Sequence, residues 1–367
     1  MKVISNDSDR IRNILAFFSK LTIVLFFHIF FWGCDSSSKS GTGNTEKNER
    51  VEDVVNEDSP VILVADQKII RLIKVGYGSP IELDAEYRSL AYHNNLYWVN
   101  TASNTIYAYA ENKYDMSKAA EDANYDANYE ELKIEKQFKH NYENGKILFV
   151  DNRLFMLAKD PQENGLSLVE FDVESGQELK KIKFSDEANN YVNRNRIFQH
   201  NNHIYYLSTN AFAVFRININ SLDVKKLDLR ESSVGKAANG DMAMAGGKLW
   251  VLDSKQKTFI KINPDNLTIE SSLTFEEAGI NVEIDFCEAG KEYLYCWADR
   301  DILALNIATG KVSSTFQDVV TFRQLTAQGN SLYASKTGGV YILDENTLEE
   351  KKILGNFKVE DFIVKGR

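Results

Sequence analysis

Histidine, the side chain best suited to proton transfer near neutral pH, is scarce in this chain of 367 residues. Four of the five histidines follow residue 33: His93, His140, His200 and His203. His93 and His200 occupy matching HNN sequences, whose asparagines favour a tight turn between two strands. No HExxH, CxxC pair, GxSxG or phosphate-binding glycine loop is present. The sequence therefore predicts no metal and no cofactor. It favours a protein that is not an enzyme, and leaves open an enzyme with scattered active-site residues.

Basic residues recur just before the second strand of several repeating units. Arg88, Lys146 and Arg196 stand at one offset from that strand, and Arg323 stands one residue further away. The adjacent NNYVNRNR sequence adds Tyr191 and Arg194, which are residue types enriched at binding hot spots. A ring of such charges would attract an anionic ligand or an acidic protein segment. The alternative is that these charges are solvated or locally paired and contribute only to solubility.

Cys287 and Cys296 fall on the first two strands predicted for one unit. Neighbouring strands can bring two cysteines within disulfide reach, and an exported protein meets an oxidising compartment. A disulfide and two buried thiols are both compatible with the sequence.

The elements that must position these residues are short strands in a repeating pattern, seen most clearly at 242–275. Four strands separated by Gly-Gly, polar and Asn-Pro-Asp-Asn breaks recur about every 40–50 residues, as in a β-propeller. We therefore predict an all-β fold of seven four-stranded blades, with the aromatic residues of the second strands packed between blades. The predicted blades are 61–84 with 357–365, 86–138, 145–184, 195–229, 239–275, 282–316 and 320–354.

Both ends of this domain are incomplete as repeats. The first unit lacks a first strand, and the sequence FKVEDFIV at 357–364 is a strand without a unit of its own. We expect the C-terminal strand to complete the N-terminal blade. The insertion at 111–131 is interpreted as a solvated loop; a weak cation site at Asp122, Asp126 and Glu130 would lack the glycine and spacing of a calcium loop.

The N-terminal segment, 1–33, has basic residues followed by the apolar run Leu21–Trp32, which is shorter than the about 20 residues of a membrane span. With Gly33 before Cys34, it resembles a bacterial lipoprotein signal, and the resemblance implies cleavage before Cys34 and acylation of its thiol. Phe31 and Trp32 depart from the usual residues of that signal. The alternative is an uncleaved signal anchor. Residues 34–59 are polar and are expected to form a flexible tether, leaving 60–367 as the propeller domain.

Two turn sequences, DVESG at 172–176 and NIATG at 306–310, resemble those of quinoprotein-like and YVTN-type propellers. The resemblance implies a β-propeller fold. Repeats that bind pyrroloquinoline quinone carry a tryptophan where this chain has Lys180 and Ser314, so the resemblance does not extend to a quinone cofactor.

Formal net charge is −10, which argues against nucleic-acid binding and against general adhesion to an anionic membrane, while local basic patches remain compatible with it. We expect a protein lipid-anchored to a bacterial membrane at the cell envelope. Its expected role is a non-enzymatic binding or scaffold module, whose channel rim contacts a protein or an anionic small molecule or glycan. The alternative is an envelope hydrolase or lyase acting on an anionic sugar or lactone at the same rim.

Overall fold

The computed structural model describes residues 61–73, 80–112, 132–163, 165–185, 197–208, 211–230, 240–298, 300–317, 322–336, 339–354 and 359–365. The chain divides into two compact units, Met1–Val54 and Val55–Arg367, and every described residue belongs to the second. Within the described ranges, no helix is long and apolar enough to cross a membrane.

Seven antiparallel sheets of four strands each make up the described unit, and each sheet is one blade. Blade 1 contains β1 (Ile62–Asp66), β2 (Ile69–Ile73) and β3 (Ile81–Glu82), together with the last strand of the chain, β28 (Asp361–Val364). Blade 2 contains β4 (Tyr87–His93), β5 (Leu96–Thr101), β6 (Thr105–Glu111) and β7 (Leu132–Lys139). Blade 3 contains β8 (Glu143–Val150), β9 (Arg153–Lys159), β10 (Leu166–Phe171) and β11 (Glu178–Ser185). Blade 4 contains β12 (Ile197–His200), β13 (His203–Ser208), β14 (Ala213–Asn218) and β15 (Val224–Asp228).

The remaining three blades follow the same order. Blade 5 contains β16 (Gly240–Ala245), β17 (Lys248–Asp253), β18 (Thr258–Asn263) and β19 (Thr268–Thr274), and is followed by the short helix α1 (Phe275–Ala278). Blade 6 contains β20 (Phe286–Ala289), β21 (Tyr293–Ala298), β22 (Asp301–Asn306) and β23 (Lys311–Gln317). Blade 7 contains β24 (Phe322–Gln328), β25 (Ser331–Lys336), β26 (Gly339–Asp344) and β27 (Glu350–Leu354). The prediction of a seven-bladed β-propeller is confirmed.

The ring closes within blade 1, as the sequence predicts. Strand β28 pairs antiparallel with β1, from Ile62 opposite Val364 to Ala65 opposite Asp361. Two further backbone hydrogen bonds extend the pairing, from Glu360 N–H to Ala65 O (2.9 Å) and from Lys365 N–H to Val61 O (2.8 Å). The innermost strands of neighbouring blades also contact one another, and β28 lies between β24 and β4. The two ends of the domain are therefore joined in one sheet.

Tight hairpins connect the first and second strands of the blades. Asn94 and Asn95 both have positive φ between β4 and β5, and Asn201 has positive φ between β12 and β13. These are the asparagines of the two HNN sequences, so the prediction of a turn at each is confirmed. Gly246 and Gly247 play the same part in blade 5.

A second recurring turn joins the third and fourth strands of blades 3 to 7. The side chain of an Asp or Asn accepts hydrogen bonds from backbone N–H groups of the next residues. The backbone carbonyl of the same Asp or Asn accepts a hydrogen bond from the N–H of a residue in the left-handed region. The capping residues are Asp172, Asn218, Asn263, Asn306 and Asp344, and the left-handed residues are Gly176, Leu222, Leu267, Gly310 and Leu348. A side chain at Gly176 would collide with Phe138 of the preceding blade. Buried Leu348 instead packs in the interface between blades 6 and 7, which offsets its backbone strain.

We predict that Phe362→Ala, at the closing strand, lowers the free energy of unfolding by about 3–5 kcal/mol, as expected for a large buried side chain. Phe362 is 2% exposed and packs between blades 7 and 1. Ile134→Ala, on the outer strand β7, is the matched control and should change stability by no more than ~0.5 kcal/mol. Urea unfolding of both variants provides the measurement. A loss below about 1 kcal/mol for Phe362→Ala would show that closure at β28 contributes little.

Candidate functional site at the channel rim

Polar side chains tie the innermost strand of one blade to that of the next. Ser89 on β4 donates to Gly145 O (3.3 Å) and accepts from Ile147 N–H (3.0 Å), both on β8. In the same way, Asp241 accepts from Cys287 N–H (2.8 Å). Gln324 of blade 7 makes both bonds to one residue of blade 1, because its amide donates to Phe362 O (3.1 Å) and accepts from Phe362 N–H (2.8 Å). These contacts fix the positions of the strands that surround the axis.

His140 belongs to this bonding between blades. Asn100 donates to Gly145 O (2.7 Å), and its side-chain oxygen lies 2.9 Å from His140 Nε2. Because His140 Nδ1 accepts from Tyr142 N–H (3.1 Å), Nε2 must carry the proton that it donates to Asn100. Burial lowers the pKa of His140 to about 4. The imidazole is therefore neutral at physiological pH and holds blades 2 and 3 together.

The other histidines of the described chain lie in the first hairpins of blades 2 and 4. His93 stacks on Phe149 of the next blade with ring centroids 4.2 Å apart. His200 and His203 are directly opposite each other at the end of the β12–β13 hairpin. Within the described ranges, no group of three or more His, Cys, Asp or Glu side chains could hold a metal ion.

The predicted basic residues do not share one register position. Arg88 lies in a β-bulge of β4, between the pairs Tyr87–Thr101 and Ser89–Asn100, whereas Lys146 pairs with Leu157 next to an irregularity of β8. The guanidinium of Arg88 is 3.6 Å from the Glu86 carboxylate. Equal spacing from the second strand does not give equivalent positions, because Leu96 belongs to the first pair after its turn whereas Leu154 belongs to the second.

The remaining predicted rim residues are described only in part or not at all. The backbone of Arg323 lies in an irregular part of β24, between Phe322 and Gln324. Tyr191, Arg194 and Arg196 lie outside the described residues, as do Cys34 and the cation-site candidates Asp122, Asp126 and Glu130.

Asp361 is a rim residue that the sequence analysis missed. It begins β28 in blade 1, hydrogen-bonds with the Gln324 side chain of blade 7, and lies within electrostatic range of Lys146 in blade 3. Side chains from three blades can meet in this way only near the axis. Burial raises the pKa of Asp361 to about 6, although Lys146, the Phe362 N–H group and Gln324 all act to lower it. The sequence placed Asp361 within the closing strand 357–364, but it gave no sign that side chains of blades 3 and 7 would lie near it.

The cysteines and the second-strand tyrosines contribute to packing near the axis and between blades. Cys287 and Cys296 are directly opposite on β20 and β21, with Cα atoms 4.1 Å apart, and their sulfurs are bonded. Tyr205 donates to Pro264 O (3.1 Å) and Tyr295 donates to Glu345 O (2.7 Å), in each case a carbonyl of the next blade.

Comparison with solved structures supports the fold alone. A functionally unknown protein from Desulfotomaculum acetoxidans DSM 771 is similar with a TM-score of 0.59 and 12% identity, over 83% of this chain and 99% of that chain. Saccharomyces cerevisiae Sqt1 is similar with a TM-score of 0.55 and 14% identity, over 83% of this chain and 86% of that chain. No family model and no curated protein matches the chain. The fold and the rim thus define the chain as a seven-bladed β-propeller.

Asp361 and His140 should give opposite pH dependences of stability. The folded state binds the proton of Asp361 more tightly than the unfolded state does, so ionised Asp361 destabilises the fold. Acidification from above pH 6 to about 4 therefore raises the contribution of this residue to the free energy of unfolding by up to ~3 kcal/mol. The folded state binds the proton of His140 less tightly, so acidification from about pH 6.5 to 4 costs a similar amount.

We therefore predict that Asp361→Asn is more stable than the native protein at pH 7.5, and that this advantage disappears by about pH 4. His140→Gln should show the reverse, gaining relative to the native protein as pH falls. Unfolding free energies measured across this range, with exposed Asp265→Asn as the control, test both slopes. Parallel curves for Asp361→Asn and the native protein would contradict the assignment.

Proposed function

We propose that this protein is a β-propeller of the cell envelope that binds a partner at the channel rim formed by the starts of its innermost strands. The observation that carries the proposal is the convergence of Lys146, Asp361 and Gln324 from three blades, each with a partly exposed surface. Converging polar groups at the mouth of a concave surface are the usual setting of a ligand or partner site. The repeated third-to-fourth-strand turn supports grouping the chain with the quinoprotein-like and YVTN-type propellers.

The charges at the rim favour a particular kind of ligand. Lys146 supplies a cation, but the nearby Asp361 carboxylate offsets it above about pH 6. Arg88 is likewise partly offset by Glu86. A group that combines an anionic acceptor with a hydrogen-bond donor, such as an acidic peptide segment or an anionic glycan, suits this mixture better than a simple anion does.

We favour binding over catalysis because the histidines, the side chains best suited to proton transfer, take part in structural contacts. His93, His140, His200 and His203 are engaged in hairpins or in contacts between blades. Asp361 is the strongest candidate for proton transfer, but a hydrolase or lyase needs a second group positioned against the same substrate.

The tether is the second part of the proposal. Gly33 and Cys34 follow the apolar run Leu21–Trp32, and a polar segment follows them. We propose that Cys34 is acylated and that the propeller is thereby held at a bacterial membrane.

Neutralising the rim should weaken partner binding. We predict that Arg88→Gln/Lys146→Gln recovers at least about tenfold less partner than the native chain, because each lost charge-assisted contact is worth about 1.5 kcal/mol or more. Chemical crosslinking in intact cells followed by affinity capture provides the measurement. The control is Lys255→Gln/Lys291→Gln, which removes two exposed lysines elsewhere. Equal recovery of the same partners by both double variants would show that Arg88 and Lys146 at the rim do not contribute to partner binding.

Cys34→Ser should abolish incorporation of labelled fatty acid and release the chain from the membrane fraction. Ser36→Ala, two residues further along, should do neither. A Cys34→Ser chain that remains in the membrane fraction would instead indicate an uncleaved signal anchor.

A further inference from the structure

Lysines are concentrated on the outermost strands of three consecutive blades. Strands β7, β11 and β15 carry eight lysines: Lys133, Lys136, Lys139, Lys180, Lys181, Lys183, Lys225 and Lys226. The acidic residues of the same strands are Glu135, Glu178 and Asp228. We call the exposed surface of these three strands the basic outer arc. It is a local excess of positive charge on a protein whose net charge is −10.

The opposite charge lies elsewhere on the outside of the ring. From Thr268 to Asp285 the chain runs through β19, α1 and the connection to blade 6 without a lysine or arginine. The acidic residues of that stretch are Glu270, Glu276, Glu277, Glu283 and Asp285. The lysine-rich outer strands and this acidic stretch therefore lie on different blades.

Ion pairs neutralise only part of the charge of the basic outer arc. Four of the eight lysines form ion pairs: Lys133 with Glu135, Lys136 with Glu174, Lys181 with Asp160 and Glu163, and Lys226 with Asp228. Among the described residues, Lys139, Lys180 and Lys225 are exposed and make no ion pair. These three side chains lie on three different blades, so the positive field extends along the whole arc.

Two large apolar side chains project from the same arc. Ile134 is 49% exposed and Leu179 is 55% exposed. Leu179 occupies a β-bulge on the outer strand, at which blades 2, 5, 6 and 7 place polar residues: Glu135, Glu270, Ser313 and Lys351. A bulge turns its extra side chain away from the sheet. The apolar residue at this bulge lies beside Lys180 and follows Glu178, so the arc combines exposed apolar and cationic side chains.

We propose that the basic outer arc binds an anionic lipid surface, with Leu179 and Ile134 entering the interface below the headgroups. Lysines near such a surface each contribute about 1 kcal/mol, and apolar side chains add burial in the acyl region. The cations on these strands are all lysines, which act as point charges toward a diffuse negative surface, whereas arginine favours bidentate recognition of one group. This contact is separate from the channel rim and does not depend on lipid at Cys34.

The domain that begins at Val55 is a suitable test molecule. Every strand of the seven blades comes from residues 62–364, and the ring closes between the two ends of that span. The Val55–Arg367 unit therefore contains the whole described fold without the apolar segment Leu21–Trp32. Any membrane binding by this unit comes from the propeller itself.

The measurement is co-sedimentation of Val55–Arg367 with phosphatidylcholine vesicles that either contain or lack phosphatidylglycerol. We expect binding only when phosphatidylglycerol is present. Lys180→Glu/Lys225→Glu should weaken it roughly 30-fold or more, at about 1 kcal/mol per lysine and 1.4 kcal/mol per tenfold. Lys255→Glu/Lys291→Glu, with the same change in net charge, is the control and should bind as the native unit does.

The apolar contribution is tested with a second matched pair. Leu179→Ser should weaken binding roughly tenfold, because burial of a leucine is worth about 1.5–3 kcal/mol when complete. Ile269→Ser, at another exposed isoleucine, should have no effect. Circular dichroism of each variant confirms folding. Three results would each overturn the proposal. The first is equal binding to vesicles with and without phosphatidylglycerol, and the second is an equal loss of binding in the two lysine double variants. The third is complete competition by soluble polyglutamate together with unchanged binding of Leu179→Ser.

Discussion

The structure depends on the innermost strands, because a single blade cannot bury either of its faces alone. Each blade is stable only when both neighbours cover it, so the contacts near the axis decide whether the ring forms. Here those contacts are polar as well as apolar. Ser89, Asp241 and Gln324 each bond to the backbone of the next innermost strand, and Gln324 does so across the junction between the last blade and the first. At β28 the ring is thus closed by strand pairing with β1 on one side and by the Gln324 hydrogen bonds on the other.

Features that depend on neighbouring residues in the chain could be predicted from the sequence. The strands, the HNN hairpins and the closing role of 357–364 all follow from alternation and turn chemistry, which act over a few residues. The relative positions of Arg88 and Lys146 could not be predicted in the same way, because Leu96 and Leu154 lie at different distances from their turns. Asp361 was missed for a different reason: its raised pKa arises from residues of blades 3 and 7, which are far away in the sequence.

The same closure that stabilises the ring also places a carboxyl with a raised pKa near the axis. Asp361 lies where β28 must begin if Phe362 is to pair with Val64 and bond to Gln324. Burial of this carboxyl then makes its ionisation cost free energy at neutral pH. A partner that brings a positive charge or a hydrogen-bond donor to the rim would recover part of that cost. The rim is therefore a position where binding and stability are physically coupled.

The net charge of the chain and the charge of its individual outer strands predict different behaviour at an anionic membrane. A value of −10 argues against adhesion to an anionic membrane when the charge is treated as evenly spread. The propeller separates its charges, however, because each outer strand belongs to a different blade and its exposed side chains vary independently of the core. Screening in physiological salt limits the reach of a charge to about 8 Å, so the acidic side near blade 5 hardly weakens the field at Lys180 and Lys225. For a ring of this kind, the charge of each outer strand is a better guide to its partners than the charge of the whole chain.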